Sequence, residues 1–242
     1  MIRLDKLISE LNISKRSEAG NLIKKGLITV NGIPAKSKDE KVDEATSVIS
    51  YMGNDYRYVK YRYFLLNKPQ NAVCANADPK DRTVMDIFRQ KYPQIKADSY
   101  FSMGRLDKDT VGLLIITNDG ELSHRLLSPK YHVNKRYFVR LDKALDDNTK
   151  KLIEKGVYIE KDVLTKPAQI QIDWDNPKEC YINISEGRFH QVKRMFGVNG
   201  LNVEYLKRVN FGNLELPEDL AEGDLIELNE EMVGKLTGEN KQ

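Results

Sequence analysis

The sequence is poor in the residues that build metal and redox sites: of 242 residues, two are cysteine, three histidine and one tryptophan. Cys74 and Cys180 stand far apart, with no CxxC pair and no histidine beside them. That spacing argues against a zinc site and a disulfide framework and reads them as buried small hydrophobes. His124, His132 and His190 are too scattered to suggest a metal. No apolar run approaches the roughly 20 residues that cross a bilayer. Arg3, Asp5 and Lys6 occupy the place where a signal peptide keeps its apolar region, so a cytoplasmic chain is expected. There is also no phosphate-cradling glycine loop. What remains, 40% hydrophobic and 31% charged residues, describes a soluble globular chain able to bury a sizeable core.

The formal net charge of +3 hides a segregation. Residues 1–38 hold eight Lys/Arg against three acids, residues 39–212 hold 29 against 24, and residues 213–242 hold two against nine. Two basic portions and an acidic tail are the electrostatic footprint of nucleic-acid binding, although any single basic cluster is more often a solvated face.

In the first 55 residues, Ile2, Leu4, Leu7, Ile8 and Leu11 recur at helical spacing, and Asn12 followed by Ser14 reads as a stop and a new N-cap. A second amphipathic helix carries Ala19, Leu22 and Ile23 and ends at Gly26. Leu27–Val30 reads as a strand, and Asn31-Gly32 as a hairpin turn. Arg3, Lys6, Lys15, Arg16, Lys24 and Lys25 decorate these helices without interrupting the apolar stripe, as a phosphate-binding surface would require. The stretches Arg3–Leu7, Ser14–Ala19, Leu22–Gly26 and Ile28–Gly32, in that order, resemble an S4 RNA-binding domain. The resemblance implies a structured RNA as partner. Residues 56–61 read as a linker, and residues 237–242 as a polar tail.

The larger module, residues 62–236, is organised around residues 103–120. Leu113–Ile116 is short and apolar and ends in two β-branched isoleucines, which predicts a strand buried on both faces. The polar loop before it and the Asn118-Asp119-Gly120 turn after it leave Asp107, Asp109 and Asp119 as equally eligible catalytic acids. Lys135–Leu141 alternates, with Tyr137, Val139 and Leu141 on one face and Arg136, Phe138 and Arg140 on the other. Residues 181–185 form another alternating strand, and residues 186–188 turn into a basic helix. Helix and strand signals follow no regular βαβ rhythm. The expected fold class is therefore α+β, with a mixed, mainly antiparallel sheet flanked by helices.

Four ordered stretches of this module resemble the RsuA family of RNA pseudouridine synthases: residues 104–120, residues 135–139, residues 186–196 and residues 206–209. Asn67–Gln70, Ser128–His132 and Lys161–Ala168 are most similar to the family members that act on small-subunit rRNA. Asn71 departs from the pattern, which has Gly there. The resemblance implies isomerisation of a uridine in 16S rRNA, with no cofactor and no metal, by a monomer acting on a small-subunit particle. The same reaction on 23S rRNA, and a non-catalytic S4-type RNA-binding or assembly protein, are the alternatives.

By this resemblance Asp107 is the catalytic carboxylate, Tyr137 stacks on the target base, and Lys193 pairs with Asp107. Arg105, Arg125, Lys130, Lys135, Arg136, Arg188, His190, Arg194, Lys207 and Arg208 become candidate RNA contacts, and His190 also orients the turn before the basic helix. The tetrapeptide Arg-Leu-Asp-Lys alone is uninformative, because it also occurs at residues 3–6. There the apolar period makes Asp5 an ordinary helix-surface acid.

Overall fold

The computed structural model describes residues 1–238, which divide into two compact units: residues 1–62 with 92–98, and residues 63–91 with 99 onward. No helix among the described residues is long and apolar enough to cross a membrane.

The first unit runs β1 (Ile2–Arg3), α1 (Leu4–Glu10), α2 (Arg16–Lys24), β2 (Ile28–Val30), β3 (Ile33–Pro34), β4 (Lys41–Val42), β5 (Val48–Tyr51) and β6 (Asn54–Arg57). Leu4, Leu7 and Ile8 of α1 meet Ala19 and Ile23 of α2 over Ile28 and Ile49, all buried. Asn31 (φ 51) and Gly32 (φ 79) both turn left-handed, the backbone that a two-residue hairpin between twisted strands demands.

Four expectations change here. Ile2 belongs to a short strand paired with Lys41–Val42, not to the first helix. The N-cap of α2 is Lys15, not Ser14. The linker expected at 56–61 begins inside a strand: residues 54–57 pair with β5 in register, and Tyr56 and Tyr58 pack against the core, so the apolar signal is carried by tyrosines that read as polar. Asp5 is buried, not surface: Arg3 donates to it from Nε at 3.1 Å and Nη2 at 2.9 Å, and Arg16 Nε lies 3.2 Å away. The bond from Arg3, reinforced by Arg16, holds its carboxyl well below the usual range despite burial. Arg3 and Arg16 are thus already engaged in an internal ion-pair network, whereas Lys6, Lys15, Lys24 and Lys25 are exposed.

The second unit runs β7 (Tyr63–Lys68), α3 (Val84–Lys91), β8 (Phe101–Met103), β9 (Val111–Thr117), α4 (Gly120–Leu127), β10 (Lys135–Leu141), α5 (Asp147–Lys155), β11 (Tyr158–Glu160), β12 (Val163–Leu164), β13 (Gln169–Ile172), β14 (Glu179–Ile184), α6 (Gln191–Gly197), β15 (Val203–Phe211), β16 (Leu214–Glu215), β17 (Leu225–Glu227) and α7 (Glu230–Thr237). Of the tail expected at 237–242, Thr237 ends α7, Gly238 caps it, and residues 239–242 lie outside the described residues.

The fold is α+β, as expected. Its nine-stranded sheet runs β13-β14-β10-β15-β9-β7-β17, with β8 on β9 and β16 on β15. The β9–β15 pair alone is parallel in that sheet. Every residue of β9 is buried, Leu113 and Ile115 meeting Leu122 and Leu126 of α4 and Leu236 of α7. On the other side Phe64 packs edge-on against Phe88 of α3 at 5.0 Å.

Two backbone features of this sheet position the site. Gly112 (φ +100) lies opposite Arg208, where an added Cβ would stand 2.3 Å from the Arg208 carbonyl oxygen, so only glycine allows this crossing. A bulge in β15 where it pairs with β10 shifts the register between Arg136 and Tyr137. As a result Arg208 and Phe211, three residues apart, both turn to the face that carries Lys135 and Tyr137, with the Arg208 guanidinium 5.2 Å from the Phe211 ring.

Candidate active site

Asp107 lies in the loop 104–110 that enters β9, and this loop is fastened from below. Lys68, fully buried, donates from Nζ to the carbonyls of Pro69 (3.1 Å), Lys108 (3.2 Å) and Thr110 (2.8 Å). Burial pushes its ammonium down, and nearby carboxylates including Asp109 and Asp107 counter that. The Asn71 amide bonds the Lys108 carbonyl at 2.9 Å from a left-handed backbone (φ 62). That is the conformation for which glycine is the usual residue and asparagine the tolerated substitute, so the departure at Asn71 leaves the turn intact. Cys74 is no buried filler: its sulfur accepts the Leu106 amide at 3.3 Å beside a cavity, whereas Cys180 is buried.

Of the three eligible acids, Asp119 is committed to structure. It caps α4 by accepting the Leu122 amide at 2.9 Å, and the Tyr63 hydroxyl donates to it at 2.6 Å. Asp107 and Asp109 share one cation. Lys193 Nζ, from α6, stands 3.2 Å from Asp107 Oδ2 and 2.5 Å from Asp109 Oδ1. Burial, the largest single influence, would raise the Asp109 carboxyl, but the hydrogen bond and the charge of Lys193, with smaller contributions beside them, together hold Asp109 below its ordinary value. The carboxylates differ in setting: Asp109 is 68% exposed and Asp107 is 24% exposed. Asp107 lines a cavity of about 850 Å³ whose wall includes Tyr137, Lys135, Arg208 and Arg105, and Asp109 does not. A recess of about 80 Å³ continues beneath Asp107, where the buried Thr110 hydroxyl has no hydrogen-bond partner.

The remaining predicted RNA contacts separate into groups. Tyr137 is buried and reaches both the cavity and the recess. Lys135 and Arg208 are not surface cations. Both are buried on the Tyr137 face: Lys135 Nζ donates to the Val133 carbonyl at 2.8 Å, and Arg208 Nε to that of Leu113 at 2.7 Å. Strand alternation and the β15 bulge turn them inward, which a reading of their charge as solvated misses. Arg136 and Lys207 project from the opposite face of the sheet, where they line a larger groove of about 1010 Å³ that Asp107 does not line.

Arg194 is a clamp: its Nη2 donates to the Ile159 carbonyl at 2.7 Å and pairs with Glu160. Arg188 pairs with Glu186 at 3.2 Å yet stays half exposed at the cavity rim, and Arg105 is exposed beside it. Lys130 is exposed and Arg125 half-buried. His190 adopts a left-handed backbone (φ 49) and places Nε2 3.6 Å from Asp107 Oδ1. Glu186 and Phe189 escape a sequence reading as individual residues, although both lie in the 186–196 stretch, whereas Asp109, one of the three eligible acids, joins the site through Lys193.

Lys135 supplies a testable consequence. Burial and the neighbouring Arg208 push its ammonium down to about 8, against roughly 10.4 in an unfolded chain. Between those values the unfolded chain binds a proton that the folded chain does not, so this group makes stability rise with pH across that window. Urea unfolding from pH 7.5 to 10 is expected to show a rise on the order of 2–3 kcal/mol in the unaltered protein relative to Lys135→Met. Parallel curves would refute the buried charge.

A family model described as RNA pseudouridylate synthase matches residues 62–197, and an S4 domain model matches residues 2–48. The chain is 40% identical over 232 residues to an uncharacterized RNA pseudouridine synthase of Bacillus subtilis, YtzG, covering 95% of this chain and 96% of that one. It is 39% identical over 238 residues to ribosomal small subunit pseudouridine synthase A of Escherichia coli, covering 97% of this chain and 100% of that one. A crystal structure of a pseudouridylate synthase superposes with a TM-score of 0.67 at 36% identity, covering 98% of this chain and all of the other. A carboxylate paired with a lysine at the mouth of a cavity, in a chain related over nearly its whole length to such enzymes, places this protein in the RNA pseudouridylate synthase family, with an S4 domain at its N-terminus.

Proposed function

We propose that this chain isomerises a uridine of 16S rRNA, uridine-516, to pseudouridine, with Asp107 as the catalytic carboxylate. The observation that carries the reading is the Asp107–Lys193 pair at the wall of a cavity that also presents Tyr137. Isomerisation breaks the bond from N1 of uracil to C1′ of ribose, turns the base, and joins C5 to C1′, with loss of the C5 proton and gain of a proton at N1. Atoms and electrons balance within the nucleotide. The reaction asks for an ionised carboxylate to add to the base or capture the sugar, and a flat surface to hold the detached uracil. Asp107 and the Tyr137 ring answer those demands, Lys193 compensates the carboxylate charge, and the cavity has room for a nucleoside. The exposed lysines of the first unit, with Arg105 and Arg188, are the phosphate contacts of this reading.

The small-subunit choice rests on the Escherichia coli relative, named for that subunit and matched along its full length. The setting that follows is a monomer in the cytoplasm acting on a partly assembled small-subunit particle. The same chemistry on 23S rRNA is the neighbouring reading, and an inactive S4-type binding protein is the distant one, disfavoured by the intact pair. Tritium release from C5-labelled uridine is expected from 16S transcript and not from 23S transcript. Release from 23S alone would move the substrate to the large subunit, and release from neither would sink the enzymatic reading.

A further inference from the structure

Phe189 is 71% exposed, yet it is not a loose surface ring. It stacks on the His190 imidazole with centroids 3.8 Å apart and planes 19° apart. Its carbonyl accepts from Arg194 Nη1 at 3.2 Å. The turn beneath it is braced by Gln191, whose Nε2 donates to Glu186 at 2.7 Å and whose Oε1 accepts the Arg188 amide at 2.9 Å. The left-handed backbone at His190 turns the pair so that both rings line the cavity, with His190 Nε2 3.6 Å from Asp107. One braced arm therefore joins an outward aromatic face to the carboxylate. Exposed arginines, Arg105 and Arg188, line the same cavity.

An apolar ring held in water gains by stacking on another flat ring, and nucleobases present such faces whatever their sequence. A uridine that leaves a stacked RNA for a cavity exposes the faces of its former neighbours. We infer that Phe189, backed by His190, is a wedge that enters the RNA stack where the target uridine has turned out, and so holds the base in the cavity. Phe189 is a positioning residue in this scheme, acting on RNA shape and not on the bonds that change. The inference rests on the pseudouridine synthase reading proposed above.

Two RNAs that differ only opposite the target uridine decide the matter, one with the uridine paired and one with it bulged. Phe189→Ala is expected to lower kcat/KM on the paired RNA by about 10- to 100-fold and on the bulged RNA by less than about threefold. Phe189→Trp should stay within about threefold of the unaltered protein on both. An equal fall on both RNAs would assign Phe189 to the architecture of the site, and no fall on the paired RNA would remove it from base extrusion; either result overturns the inference. A parallel reading needs no turnover. With 2-aminopurine 3′ to the uridine of the paired RNA, binding of the unaltered protein should change the fluorescence, and Phe189→Ala should not. The same change with both proteins overturns the wedge. Absence of tritium release by the unaltered protein from both RNAs would count against the substrate reading, while the fluorescence still decides this one.

Discussion

Asp107→Asn is expected to lower kcat by about 10⁴-fold or more while leaving RNA affinity within about threefold. An amide of nearly the same shape keeps the loop, because its position is set by the Lys68 ammonium on three carbonyls and by the Leu106 amide on Cys74, not by the carboxylate. What the amide removes is the charge and the nucleophilic oxygen, which either route needs, addition to the base or capture of the sugar. In the proposed reading affinity is carried by phosphate contacts elsewhere, and removing a negative charge from an RNA-binding surface would not weaken them. Tritium release measures the first quantity and filter binding the second. Retention of more than about 1% of the rate would mean that another group does the chemistry. Asp109, joined to the same lysine, would be the first to examine.

The tetrapeptide that occurs twice shows what a sequence exposes and what it hides. In both copies the aspartate attracts cations: Asp5 takes Arg3 and Arg16, and Asp107 takes Lys193. In the first copy the carboxylate is buried and paired with two guanidinium groups; in the second it opens on a cavity. Local sequence cannot separate these cases, because the difference lies in residues far along the chain. The strand at Leu113–Ile116, the Asn31-Gly32 hairpin and the alternation of residues 135–141 were legible, since period and turn chemistry are local properties. The inward direction of Lys135 and Arg208 was not, because a bulge between paired strands sets it. Nor was the wedge-like placement of Phe189, which depends on a left-handed turn at a non-glycine residue.

Lys193→Met is expected to lower kcat/KM by about 30- to 100-fold, and the size of the loss identifies the carboxylate that the lysine serves. Removing one member of a buried ion pair typically costs about 3–5 kcal/mol. Lys193 and Asp107 are 21% and 24% exposed, so solvent screening brings the figure to about 2–3 kcal/mol. Asp109 is 68% exposed, and a pair of that kind contributes at most about 1 kcal/mol. Asp109→Asn should therefore cost less than about fivefold, although its oxygen is the nearer of the two to the ammonium. Lys193→Arg, which keeps the charge, should recover most of the rate. Salt dependence separates this role from RNA contact: a phosphate ligand would reduce the logarithmic slope of binding against salt by about 0.9. Lys193, occupied by two carboxylates, should leave that slope unchanged. A slope that drops in Lys193→Met, or an Asp109→Asn variant as impaired as Lys193→Met, would break the pairing of Lys193 with Asp107 as the basis of the site.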